Sequence, residues 1–273
     1  MGSNMGSMVD HPFGPPVAEI ALERVPLVLV VAQARFPTVA SIAEGQAFIA
    51  PFQERLRGAY PVLRTELQTQ LVLGPEGPVQ QGTGRVWRFE EHGGPWSVTL
   101  APDFVALSTN SYTSHRDFLD RLASTLTALE EWLKPAVCDR LGVRYVDRLT
   151  DTHLLQQLSS LLRPEVLGAT SIDTGDDAVE RQHSLVDSAF RHTDGSELRA
   201  RWGTLPENAT FDPAVPALPE ASWVLDLDMY TTAPEDFSSS TLGRRAQEFA
   251  ERVYRFFRWA VTDEFLDAHG AAR

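Results

Sequence analysis

A single cysteine, Cys138, stands in 273 residues. That excludes an internal disulfide and any zinc site built from several thiolates, and it makes a cytoplasmic location the expectation. Long apolar runs are also missing. The best one, Pro26 to Ala34, falls well short of the roughly 18 residues needed to cross a bilayer, so no membrane span is expected. Cationic excess is absent, with 24 Lys and Arg against 37 Asp and Glu and a formal charge of −13. Binding along a phosphate backbone needs the opposite balance, which argues against nucleic acid as a partner.

Recognisable catalytic patterns are lacking as well. The 7 histidines contain neither His-x-x-x-His nor His-Glu-x-x-His, so no metal is expected. Gly74 to Gly84 lacks the Gly-Lys-Ser/Thr ending of a phosphate loop. His183, Ser184, Asp187 and Ser188 have no Gly-x-Ser-x-Gly elbow to organise them as a triad. No cofactor and no catalytic residue are assigned. Cys138 follows an apolar helix end and reads as a small core residue.

What is present is a dense alternation of strands and helices. The opening Met-Gly-Ser-Asn-Met-Gly-Ser-Met, residues 1–8, resembles an expression scar. A strand is expected over Leu22 to Phe36, buried on both faces at Leu27-Val28-Leu29-Val30-Val31. A helix over Ile42 to Gly58 follows, interrupted by Pro51. Tyr60 to Leu73 alternates as a strand with one buried face, and Gly74 to Gly84 reads as a loop. Arg85 to His92, Trp96 to Ala101 and Phe104 to Thr109 form two hairpins.

Ser114 to Lys134 is the strongest helix signal, with Phe118, Leu122, Leu126, Leu129 and Leu133 in one stripe and a Ser114/Asp117 cap. Strand Arg140 to Leu149 and a short helix, Asp151 to Leu162, come next. Beyond an acidic loop, Thr170 to Asp177, His183 to His192 pairs with Leu198 to Thr204. A proline-rich loop over Pro206 to Glu220, a strand over Trp223 to Tyr230 and a helix over Leu242 to Phe265 complete the chain.

This order nearly repeats itself. Leu107 to Phe118 and Leu225 to Phe237 both run from a strand ending in Tyr-Thr-Thr/Ser to an acid and Phe at a helix start. The expected fold is therefore α+β: an antiparallel sheet covered by long helices, in two related halves, 9–138 and 139–273, within one integrated domain.

Several motifs point to a family. They are Gln33-Ala34-Arg35-Phe36-Pro37, Phe52-Gln53, Trp87-Arg88-Phe89, the Leu107 to Tyr112 strand with Phe118, and Gly142-Val143-Arg144-Tyr145-Val146-Asp147-Arg148. In these the chain resembles a sporadically distributed, uncharacterised bacterial protein family of about this length. The resemblance implies a soluble bacterial protein and transfers no catalytic residue.

Candidate ligand-binding residues come from strand positions. Arg35, Arg144 and Arg148 lie near the ends of strands that correspond under the duplication, and could meet an anion. Internal ion pairing with Asp147, Asp226 and Asp228 is the competing reading. Asp226 and Asp228, two apart, share a strand face and could hold Mg²⁺ or act as an acid/base pair, against the plainer reading of a solvated or salt-bridged face. Tyr112 and Tyr230 occupy equivalent places in the repeat. Arg199 and Arg201 read as an exposed, charge-balanced face. The leading expectation is a non-enzymatic binding or accessory protein that uses a sheet surface or an inter-half cleft, with a protein partner or a homodimer. The alternative is an enzyme acting on a small anionic substrate in that cleft.

Overall fold

A computed structural model describes residues 9–74, 77–176, 178–179 and 181–272; the stretch at 1–8 lies outside them. The fold is α+β with a large antiparallel sheet. The first strand is β1 (Leu27–Arg35), followed by helices α1 (Ala40–Glu44) and α2 (Gln46–Leu56). Next come β2 (Val62–Gly74), β3 (Gly77–Glu90), β4 (Trp96–Ala101), β5 (Phe104–Thr109) and helix α3 (His115–Trp132). A short β6 (Val137–Cys138) leads into β7 (Arg140–Leu149) and helices α4 (Thr152–Gln156), α5 (Leu158–Leu161) and α6 (Pro164–Leu167). Strands β8 (Ser184–Arg191), β9 (Glu197–Leu205), β10 (Ser222–Thr231) and β11 (Glu235–Asp236) precede helices α7 (Ser239–Ala260) and α8 (Asp263–Ala268).

Several boundaries differ from the expectation, each for a local reason. Strand β1 starts after Pro26, while Leu22 bridges to Ala271 instead. The helix foreseen over 42–58 is two helices, because Gly45 takes φ 153°, outside helical space. The last helix breaks after Ala260, where Thr262 Oγ1 accepts from Phe265 N and starts α8. Gly74 to Gly84, expected as a loop, belongs mostly to β3: its backbone pairs with β2 from Gly74↔Gly77 onward, with a register shift at Gln70/Leu71. Antiparallel pairing fixes that segment without needing apolar alternation. Among the described residues no helix is long and apolar enough to cross a membrane.

The chain divides into two compact units, and β1, β7, β10 and α7 contribute residues to both. The β2–β5 unit comprises Val30–Val143 and Tyr230–Gln247. Its strands follow the order β2-β3-β4-β5-β1, and Asp139 N donates to Arg35 O at 2.8 Å where β7 begins. Register places Trp87, Phe89, Val98, Leu100, Val105 and Leu107 on one face, all buried. Helices α2 and α3 pack there through Ile49, Phe52, Phe118, Leu122 and Leu126. The Phe52 and Phe89 rings meet edge-on at 5.4 Å, and the Trp96 and Phe118 rings lie 5.9 Å apart. Each such side chain contributes roughly 1.5–3 kcal/mol of apolar burial. As foreseen, Ser114 caps α3, its Oγ accepting from Asp117 N at 3.1 Å.

The β8–β9 unit comprises the chain up to Leu29, Arg144–Met229 and the chain from Glu248. Its strand order is β7-β10-β9-β8, and Arg148 N donates to Pro26 O at 2.9 Å. Trp202 and Phe190 meet Phe256 of α7 at 6.4 and 6.0 Å between ring centroids. The 206–220 segment contains no helix or strand, as its prolines suggest. It nevertheless buries Val215 completely.

Candidate functional site

The polar centre of the β8–β9 unit is a four-member charge network. Side-chain alternation puts Arg144 of β7, Arg201 of β9 and Asp226 of β10 on one sheet face. Asp212 reaches them from the proline-rich loop. Arg144 grips Asp226 with both arms of its guanidinium, Nε to Oδ1 at 2.7 Å and Nη2 to Oδ2 at 3.1 Å. Arg201 donates from Nε to Asp226 Oδ2 at 2.8 Å. Asp212 Oδ2 accepts from both arginines, at 3.0 Å from Arg144 and 3.1 Å from Arg201. The Arg201 guanidinium also lies 4.7 Å from the Phe211 ring centre.

Asp226 is 1% exposed, and the two arginines 16% and 13%. Burial alone would lower the Arg144 pKa, but the hydrogen bond and charge of Asp226, joined by Asp212, outweigh it and the pKa stands raised. Burial likewise raises the Asp212 carboxyl; the Ala214 N–H and the two guanidiniums overcome it and hold the pKa below the usual value. The loop shapes itself for this task. Asp212 Oδ1 accepts from Ala214 N at 2.9 Å, and Thr210 Oγ1 accepts from Asp212 N at 3.2 Å while donating to Val215 O.

Two members of this network were not foreseen. Arg201 was expected on an exposed face beside Arg199, and the structure corrects that. The loop encloses Arg201, whereas Arg199 is half-exposed and pairs with Asp187. Asp212 gave no sequence signal, since a proline-rich loop carries no periodicity.

The remaining candidates are dispersed. Arg148 shares the Arg144 face and is 5% exposed. Its Nε donates to Ser222 Oγ at 3.0 Å and its Nη1 to Pro216 O at 2.5 Å, while Nη2 is buried without an acceptor among the described residues. Burial lowers its pKa, and Glu220 opposes that only through its charge. Asp147, on the opposite face of β7, is pushed up to about 8 by burial and by the charge of Asp226. Asp228 is half-buried.

In the β2–β5 unit, Arg35 is exposed and bonds Asp103 Oδ2 at 2.9 Å. The Tyr112 ring lies 6.4 Å from that of Phe118. Tyr230 sits beneath the Arg140 guanidinium at 4.7 Å. Cys138 is 1% exposed, its Sγ donates to Arg140 O at 3.4 Å, and burial pushes its thiol up to about 11. Among the described residues, no group of three or more His, Cys, Asp or Glu is placed to hold a metal ion. No family model and no curated protein matches the chain.

Proposed function

We propose that the protein is a non-enzymatic binding or accessory protein acting through the open sheet face of the β2–β5 unit, and that its first occupant is a second copy of the chain. One observation carries this reading. Opposite α2 and α3, the registers Val31↔Ser108, Gln33↔Ala106, Ser97↔Ser108 and Thr99↔Ala106 assemble a half-exposed patch with no charged residue. In a chain of charge −13, such a patch is a favourable place for association. Beside it, Arg64 pairs with Glu90 at 2.7 Å and Arg88 with Glu66 at 3.0 Å. A rim of balanced sign is compatible with itself across a twofold axis, where each residue meets its own counterpart's partner.

An enzymatic role for Asp226 is disfavoured, because both its oxygens already accept from guanidinium groups. The same proposal includes the internal duplication. Its support is the parallel between Leu107–Phe118 and Leu225–Phe237, with α3 following β5 and α7 following β10 and β11.

Light scattering over a hundredfold concentration range tests the reading. Twice the chain mass is expected for the wild type and the monomer for Ala106→Glu, which sets a charge at the centre of the patch. A wild type that stays monomeric throughout, or an Ala106→Glu chain that remains dimeric, overturns it.

A further inference from the structure

The β8–β9 unit contains a cavity of about 480 Å³, at the exit of β9 and the entry of β10. That volume lies within the usual range of small-molecule sites, about 300–1,000 Å³. Its floor is apolar, with Leu155 and Leu158 from α4 and α5 and Leu205 from the end of β9. Polar groups gather around that floor with their bonding capacity unspent. Thr170 Oγ1 is buried and, among the described residues, has no hydrogen-bond partner. Ser222 is 1% exposed, and its Oγ already accepts from Arg148 Nε, so its own hydrogen is the group left to give.

Two opposite charges complete the lining. Arg181 uses Nη1 on the carbonyls of Ala169 and Thr170, at 3.1 and 3.4 Å. Among the described residues no carboxylate pairs with Arg181, and no cation pairs with Glu207, although both line this cavity. A ligand that satisfies both must carry both signs. The apolar floor asks for an aliphatic body, and the uncommitted hydroxyls of Thr170 and Ser222 beside Arg181 suit a carboxylate.

We propose that this cavity binds a free α-amino acid with an aliphatic side chain. Its carboxylate meets Arg181 and the hydroxyls of Thr170 and Ser222, its ammonium meets Glu207, and its side chain lies on Leu155, Leu158 and Leu205. The site lies wholly within the β8–β9 unit, so it stands or falls independently of the docking face proposed above.

Titration of the ¹⁵N-labelled full chain with L-leucine, 4-methylpentanoate and 3-methylbutylamine tests each part. The second compound keeps the carbon skeleton without the ammonium, and the third keeps it without the carboxylate. Saturable shifts at Thr170, Thr204 and Ser222 are expected with leucine, and about tenfold weaker binding with each analogue, since each loses a charge-assisted contact. Arg181→Ala should weaken leucine about tenfold and leave 3-methylbutylamine unchanged; Glu207→Gln should weaken leucine and leave 4-methylpentanoate unchanged. Both residues are exposed, so both variants should fold. No saturation by leucine up to about 10 mM overturns the site. Equal binding of either analogue overturns the zwitterion, and indifference to both substitutions overturns the assigned contacts.

Discussion

Arg144 and Arg148 sit four residues apart on the same face of β7, and the protein treats them in opposite ways. Arg144 meets two carboxylates, one almost fully buried, and its pKa rises. Arg148 is the more deeply buried of the two, yet the groups that accept from it are a hydroxyl and a carbonyl, and its pKa falls. The difference comes from the loop and from β10. Asp226 stands across from Arg144, whereas Ser222, on the same face of β10, stands across from Arg148. Burying a charge is costly unless the site returns the lost hydration. Arg144 is repaid by carboxylates that bond it directly, Arg148 by two dipoles and the unbonded charge of Glu220.

Removing the counter-charge from Arg144 should put it in a worse position than Arg148. Asp226→Ala leaves Arg144 and Arg201 to share Asp212 alone, and so should destabilise the chain by on the order of 3–5 kcal/mol. Urea unfolding with linear extrapolation measures this. A loss below about 1 kcal/mol would mean that the network is no stronger than a surface pair.

A smaller effect comes from the opposite face of the same strand, at Asp147. Its folded pKa of about 8 is far above the value near 4 of an unfolded aspartate. Between those two values the folded chain holds a proton that the unfolded chain has released. This contribution is therefore fully present below the unfolded pKa and is lost as pH rises through about 8. From pH 5 to pH 8 the wild type should lose on the order of 2–4 kcal/mol through this group. Asp147→Asn, which cannot ionise, should flatten the profile. Matched unfolding curves at the two pH values compare the slopes, and parallel slopes in the two proteins would refute the assignment.

These contrasts show what was legible in the sequence. Helix α3 was readable because Phe118, Leu122, Leu126 and Leu129 repeat at helical spacing and Ser114 supplies its own cap. Strand alternation puts Arg144, Arg148 and Asp226 on defined faces, and their charges make internal ion pairing one of the two readings open to them. The partners were not readable. Arg144 meets Asp212 across 68 residues of chain, through a loop whose conformation depends on Asp212 and Thr210 bonding their own backbone neighbours. Alternation also made Arg199 and Arg201 equivalent; only the path of the loop separates them. Gly45 split a helix that periodicity alone read as continuous.

Ser222→Ala acts on the other half of the comparison. It removes the one side-chain acceptor that Arg148 Nε has, leaving a buried donor unpaired. The expected cost is about 1–3 kcal/mol. The same loss from Ser222→Thr, which keeps the hydroxyl, would show that packing around β10 and not the bond is responsible.

The smallest effect should come from Asp187→Ala. Arg199 and Asp187 make a bidentate contact on the same sheet face as Arg201, with Nε to Oδ1 at 2.9 Å and Nη2 to Oδ2 at 2.5 Å. By geometry alone this pair equals Arg144 and Asp226. The hydrogen bonds of Arg199, opposed by burial and helped by the charges of Arg199 and Arg201, hold the Asp187 pKa below the usual value. Both side chains are about half-exposed, however, so water and salt screen the attraction and hydrate either partner left alone. Asp187→Ala should cost under about 1 kcal/mol and shrink further as salt is raised, while the Asp226→Ala loss should change little with salt. Measuring both variants at low and high ionic strength sets a buried contact, tied into a network by Arg201 and Asp212, against an exposed one of matching pair geometry. Equal losses would mean that geometry, and not desolvation, sets the worth of arginine pairs on this sheet.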